Sequence, residues 1–287
     1  MAYQNFIPGV WSEGINRDLD RLCVFVEDCN TKFEGDVKKK GESVTILGVG
    51  KPTIKSLTKA QRNNEIDAAE EIEDTSVIMY INQIRYFNYM VGDIDKAQAT
   101  GGVMDALSAE TSEGLADEVD KYVASFAADS SVRKLYGNTP VKVVDGTAAS
   151  GEKNVLHILD EAIQRLYEND VKATTTIVVT VSPRFYTLFK RAYADKDTNN
   201  SGILKNGKVG MYGNVTVKMS NNVHTTDNGT VDNIMIRTQR ALAFAKPLTH
   251  TEAYRPEKHF ADAVKGYILF DAKVVRPKEI VNINVKY

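Results

Sequence analysis

The 287 residues predict an α+β fold, and three observations lead there. A single long amphipathic helix is predicted over residues 103–128. A helix–strand–helix run covers 155–194. Strand-like segments follow one another from 215 to the last residues, most of them alternating apolar and polar.

Taken in order, "NFIPGVWS" opens the chain with Phe6, Ile7 and Trp11 as an extended apolar arm, which needs a surface to lie on. Residues 12–28 read as a helix, with Ile15, Leu19, Leu22 and Val26 at helical spacing and Ser12 at its start. Residues 43–58 read as strand: "SVTIL" alternates, "GVGKPT" interrupts, and "TIKSLT" resumes. Pro52 has no N–H for a ladder, so this is an edge or an extension.

Residues 51–81 then form a two-signed polar stretch. Lys51, Lys55, Lys59 and Arg62 come first without an acid; Glu65, Asp67, Glu70, Glu71, Glu73 and Asp74 follow without a base. Beyond them, "TSVIMYINQIRYFNYMV" is rich in β-branched and aromatic residues and reads as one long strand. Two strand-like legs around a polar tip make a long hairpin. A lone two-stranded hairpin is marginal in water, so this one is expected to find its partner surface on another subunit, with the charges setting register and partner choice.

In the helix at 103–128, Leu107, Leu115, Val119, Tyr122, Val123 and Phe126 share one stripe; Glu110, Glu113, Asp117, Glu118 and Asp120 lie off it. The turn-rich "NTPVKVVDGTAASGEKN" reads as a boundary. After it, "VLHILDEAIQRLYEN" is an amphipathic helix and "ATTTIVVTV" a strand buried on both faces. "SPRFYTLFKRAYAD" is a helix with Ser182 at the N-cap and Pro183 at the first position. The strands "NVTVKMS", "NIMIRT", "ALAFAKPL", "KGYILFDAKVV" and "EIVNINVKY" complete the chain.

Length allows a substantial core, since a chain of this size buries roughly 75% of its unfolded surface. A formal net charge of -2 argues against a protein whose main task is gripping nucleic-acid phosphates. No apolar run reaches the roughly 18 residues of a membrane span, and the first residues lack the pattern of a secretory signal. Cys23 and Cys29 are read as two reduced thiols, so the sequons at Asn214 and Asn228 carry no weight.

Sites of chemistry are not legible. "GVGKPT" lacks the glycine spacing of a phosphate loop, and Pro52 follows Lys51. "DKDTNNSGILKN" carries Asn200 where a calcium loop needs glycine and Asn206 where it needs glutamate. His157, His224, His250 and His259 have no partners at metal-ligand spacing, and Ser182 before Pro183 is a helix cap rather than a nucleophile. Glu70–Glu71 and Asp117–Glu118 read as solvated or interface charge. No catalytic residue, cofactor or metal is expected, and the chain is not read as an enzyme.

The order of these parts resembles the major capsid proteins of tailed bacteriophages, the Hong Kong-phage capsid fold. Five phrases carry the resemblance: "NFIPGVWSEGINRDLDRL", "YFNYMVGDIDKAQA", "VVTVSPRFYTLF", "GKVGMYGNVTVKMSNNV" and "GYILFDAKVVRPKEIVNI". It covers nearly the whole chain, and the five phrases stand in the family's order.

The resemblance implies an N-arm with a short helix at 1–30 and an extended hairpin loop at 31–77. It implies a peripheral domain with a spine helix from 78–142 plus 249–287, and an axial domain at 143–248. Copies of the chain would form hexamers and pentamers of an icosahedral shell around double-stranded DNA, which they would contact weakly and without specificity. The inter-subunit contacts would come from Phe6, Ile7 and Trp11 of the N-arm and from the ten charged loop residues named above.

A portal and decoration proteins are further implied partners, and no membrane is. Because the chain starts at the arm, a separate scaffolding protein, or a segment already removed, is expected. The partners of a Lys–Asn crosslink do not align, so none is expected. The location implied is the virion, after assembly in the host cytoplasm. Two alternatives stay open at this point: an encapsulin-like nanocompartment shell, and a soluble α/β binding module or enzyme with a dimerisation arm.

Overall fold

The structure is a computed structural model. It describes residues 22–32, 43–46, 54, 56, 76–92, 103–194, 211–212 and 215–287. Strands β1 (Ser43–Ile46) and β2 (Val77–Tyr80) form an antiparallel pair with Ser43 opposite Tyr80 and Ile46 opposite Val77. Next come β3 (Gln83–Gly92), helix α1 (Val103–Ser125), and the short strands β4 (Arg133–Lys134), β5 (Val141–Val144) and β6 (Glu152–Asn154). Helix α2 (Val155–Glu168), β7 (Ile177–Val181) and helix α3 (Pro183–Ala194) follow. The remaining strands are β8 (Met211–Tyr212), β9 (Val215–Met219), β10 (Thr225–Thr226), β11 (Val231–Thr238), β12 (Leu242–Tyr254), β13 (Ala261–Val274) and β14 (Ile280–Lys286).

The larger sheet runs β6-β5-β14-β11-β7-β9-β8, with β10 beside β11 and β4 beside β14. Its central strands are buried on both faces because both are covered. Every residue of β7 and β11 is buried. Ile158, Leu159, Ala162 and Leu166 of α2 and Phe185, Phe189 and Ala192 of α3 belong to its core. The Asn154 side chain caps α2 by accepting from the Leu156 N–H at 2.9 Å, and Ser182 Oγ accepts from the Phe185 N–H at 3.3 Å, as its place before Pro183 predicts.

The second sheet is β12-β13-β3, all antiparallel, and α1 packs on it. Tyr122 meets Phe270 edge-on with centroids 5.5 Å apart, and its hydroxyl donates to Asp271 at 2.7 Å. Burial, then that bond, pushes the Tyr122 hydroxyl pKa up. Val119 and Val123 join α1 to the core of the larger sheet, so both sheets share one apolar interior.

Three elements depart from the expectations. The predicted strand over 75–91 is two strands in different sheets. The chain turns at Ile81, which is buried, and Asn82, whose N–H donates to Asp271 Oδ2 at 3.2 Å. The predicted helix over 12–28 does not continue past Leu22: a turn and a short 3-10 helix at Val26–Asp28 follow. Asp120, placed off the apolar stripe of α1, is only 1% exposed. The last two have one cause, described below. The last two strands divide between the sheets, β13 pairing in the smaller one and β14 lying between β11 and β5 in the larger.

Gly114 sits exposed in the fourth turn of α1 with nothing within 4 Å of where a Cβ would stand. Gly114→Ala is therefore expected to stabilise the chain by about 1 kcal/mol, read as a higher urea midpoint at unchanged slope.

Candidate inter-subunit surface and arm anchors

Phe6, Ile7 and Trp11 lie outside the described residues. So do Lys51, Lys55, Lys59, Arg62, Glu65, Asp67, Glu70, Glu71, Glu73 and Asp74, and the "GVGKPT" and "DKDTNNSGILKN" segments. What the structure describes is where these segments leave the body.

The polar stretch leaves from β1 and β2. One face of that pair, Val44, Ile46 and Met79, packs with Ile81 against Ala243, Ala245 and Leu269 of the three-stranded sheet. The other face turns Ile78 and Tyr80 to solvent. Alternation therefore fixes the root of the hairpin to the body and leaves an apolar pair outside.

The N-terminal segment leaves from a site built by three distant residues. Arg237 in β11 is 0% exposed. Its Nη2 donates to the Phe25 carbonyl at 2.6 Å, and its Nη1 to the Asp28 carbonyl and to Cys29 Sγ at 3.6 Å. From α1, the Asp120 carboxylate accepts the Val24 N–H at 2.7 Å and the Phe25 N–H at 3.1 Å. These amides turn to a side chain rather than to carbonyls one turn back, which is why the helix does not continue. Lys218 in β9 stands 2.7 Å from carboxylate oxygens of both Glu27 and Asp28. Asn30 then bridges to Ala243, exchanging backbone bonds with Leu242 and Phe244 at 2.8 and 3.1 Å.

Burial pushes the Asp120 carboxyl up to about 6 against the opposing effect of its N–H donors. Cys23 and Cys29 are free and buried, and burial pushes the Cys29 thiol up, which makes it a poor nucleophile.

Of the residues that build this anchor, sequence reasoning noted only Asp120, and on the wrong face. A signal was there: Arg237 directly follows the apolar run Ile234, Met235 and Ile236, and a cation in such a place needs acceptors.

A further exposed surface is the outer face of the three-stranded sheet. Tyr86, opposite Tyr267, is 80% exposed and Met90 is 57% exposed. His250 meets Tyr267 with ring centroids 5.7 Å apart and planes tilted by 44°; Lys265 pairs with Glu252 at 3.2 Å and lies 4.9 Å over the Tyr254 ring. Phe260, in the turn between β12 and β13, is 89% exposed. This aromatic and mixed-charge face suits contact with another protein surface.

Among the described residues, no group of three or more His, Cys, Asp or Glu could hold a metal, and no helix is long and apolar enough to cross a membrane. His157 lies 3.0 Å from Glu161 on an open helix face. Asp117 and Glu118 are exposed; Asp117 accepts from Asn222 at 2.8 Å and Glu118 pairs with Lys121 at 3.2 Å.

No family model and no curated protein matches the chain. Solved structures do. A chain from Mycobacterium phage Che8 is 26% identical with a TM-score of 0.69, covering 91% of this chain and 90% of that one. The capsid of the cyanophage P-SCSP1u is 15% identical with a TM-score of 0.64, over 92% and 88%. The mature capsid of bacteriophage PhiM1 is 17% identical with a TM-score of 0.61, over 89% and 87%.

Proposed function

We propose, from the premise that this chain is a major capsid protein with the Hong Kong-phage fold of tailed bacteriophages, that it forms hexamers and pentamers of an icosahedral shell around double-stranded DNA. The observation that carries the reading is the likeness to phage structures over about nine-tenths of both chains. A structural role follows, exercised in the virion and by self-assembly. The encapsulin-like alternative is not favoured: the phage structures above fit with TM-scores of 0.61 to 0.69, the virus-like particle from Pyrococcus furiosus with 0.56 at 10% identity.

Within that role, the segment leaving β1 and β2 reaches over a neighbouring subunit through its charged residues, from Lys51 to Asp74. The apolar arm with Phe6, Ile7 and Trp11 leaves the anchor at Val24–Asn30 to do the same. The peripheral unit is read as 78–142 plus 249–287, which holds α1, β3 and β13, and the axial unit as 143–248, which holds α2, β7, α3, β9 and β11. A separate scaffolding protein guides closure, a portal occupies one vertex, decoration proteins have the exposed sheet face available, and assembly takes place in the host cytoplasm. DNA meets the inner surface through weak, non-specific contacts, which a net charge of -2 suits. The protein performs no catalysis and needs no cofactor.

Electron microscopy and sedimentation velocity on the purified chain, alone and with its scaffold, test this. Closed shells, or rings of five and six subunits, are expected. A monomer or dimer persisting with scaffold present would overturn the reading. In the same assay, Lys55→Glu, Lys59→Glu and Arg62→Glu together are expected to leave the monomer folded and to block or misdirect assembly. Unchanged shells would remove this account of the arm.

A further inference from the structure

The hairpin root formed by β1 and β2 sits on the three-stranded sheet through Val44, Ile46 and Met79, which meet Ala243, Ala245 and Leu269. Apolar contact of this kind fixes how deep the pair lies, but it is non-directional and sets no angle. An angle needs hydrogen bonds, whose geometry is narrow.

Such bonds converge on one carboxylate. β3 pairs with β13 from Gly92 opposite Ala261 to Gln83 opposite Phe270. One more step of this ladder would place Asn82 opposite Asp271. There the backbone pairing stops, and the Asn82 N–H donates to the Asp271 side chain, to Oδ2 at 3.2 Å. A side chain that takes a strand's next amide ends the pairing, and the chain turns through Ile81 into β2. The other oxygen, Oδ1, accepts the Tyr122 hydroxyl of α1 and the Ala272 N–H, each at 2.7 Å. Asp271 is only 7% exposed, so these are bonds to a largely desolvated carboxylate. At the same level β12 carries a register shift between Ala245 and Leu248, opposite Phe270. Hairpin root, helix and sheet meet at one side chain.

We propose that Asp271 is the positioning residue that sets the direction in which the β1–β2 hairpin leaves the body, by tying Asn82 at its base to Tyr122 on α1. This rests on the reading above that the hairpin reaches a neighbouring subunit. Its aim then decides whether two copies meet in a register that can close a shell.

The three donors approach the carboxylate from two sides, and an asparagine in its place has one acceptor oxygen. Turned one way, its NH2 group faces the Asn82 N–H; turned the other way, it faces the Ala272 N–H. Donor meets donor in either case, although shape and volume are kept.

Spin labels report the aim in the whole, unassembled chain. One goes at Thr45→Cys on the exposed face of β1 and one at Glu113→Cys on the exposed face of α1, while Cys23 and Cys29 are buried. With Asp271 in place, one narrow distance distribution is expected. Asp271→Asn is expected to broaden it and to speed exchange of the Asn82 amide about tenfold relative to Ile268 in β13. Val179→Ala in β7 lowers stability without touching Asp271 and is expected to leave both readings unchanged. Unchanged distance and exchange in Asp271→Asn, or equal broadening in Val179→Ala, overturns the proposal. Should Asp271→Asn not fold, Tyr122→Phe removes a single oxygen and is expected to speed Asn82 exchange about threefold; no change overturns the proposal. In the assembly assay, open or misclosed shells are expected of Asp271→Asn, and normal shells would overturn the link from aim to assembly. Failure of the unaltered chain to form shells would count against the capsid reading alone, because the label and exchange readings do not depend on assembly.

Discussion

Arg237→Ala is expected to cost about 4 kcal/mol of stability, enough to leave much of the chain unfolded at 37 °C. The change removes a fully buried side chain and its charged hydrogen bonds together, and strands the carbonyls of Phe25 and Asp28 in a buried site. Arg237→Met separates the two contributions. It restores most of the volume and none of the donors, so about half of the loss is expected to remain. Urea denaturation of the unassembled chain measures both. A loss under about 1 kcal/mol for the alanine variant would mean that the carbonyls find other donors and that the guanidinium does not fix the segment.

Gly266→Ala is the second large effect. Gly266 lies in β13, the middle strand of the three-stranded sheet, with the Phe87 ring folded over it from β3. An added Cβ would stand 2.6 Å from Phe87 Cζ and 2.7 Å from the His250 carbonyl oxygen. The ring can rotate away, but the carbonyl belongs to the β12 backbone and cannot move without disturbing the ladder. A loss of about 3 kcal/mol is expected, and a companion Phe87→Leu change should recover only part of it. Full recovery in the double variant, read by thermal unfolding, would assign the whole clash to the ring.

The sequence made the regular elements legible where one residue class repeats at a fixed period. The helix at 103–128 is found as α1 with a further short turn at Phe126–Ala128, and Ser182 caps α3 as its place before Pro183 requires. The hairpin is legible at its root, since Val44 and Ile46 alternate against Met79. What was not legible depends on partners distant in sequence. Nothing near Ile81 announces a change of sheet, because the group that receives the Asn82 N–H is Asp271. Asp120 reads as solvated charge from its neighbours on α1; only the amides of Val24 and Phe25 make it an interior residue. The residues proposed for inter-subunit contact were legible as a charge pattern, and their geometry lies outside the described residues.

The position of β14 bears on how the chain is made. Residues 280–286 run between β11 and β5 in the interior of the larger sheet, and Ile280, Val281, Ile283 and Val285 are all buried there. On the ribosome, β4, β5 and β11 emerge before the strand that they pair with, so the sheet stays open between β5 and β11 until residues 280–286 are made. A polypeptide interrupted upstream lacks the strand that joins the β5 side to the β11 side. Without residues 280–286 the facing edges of β5 and β11 would both lie open, an exposed strand edge of the kind that invites pairing with another chain.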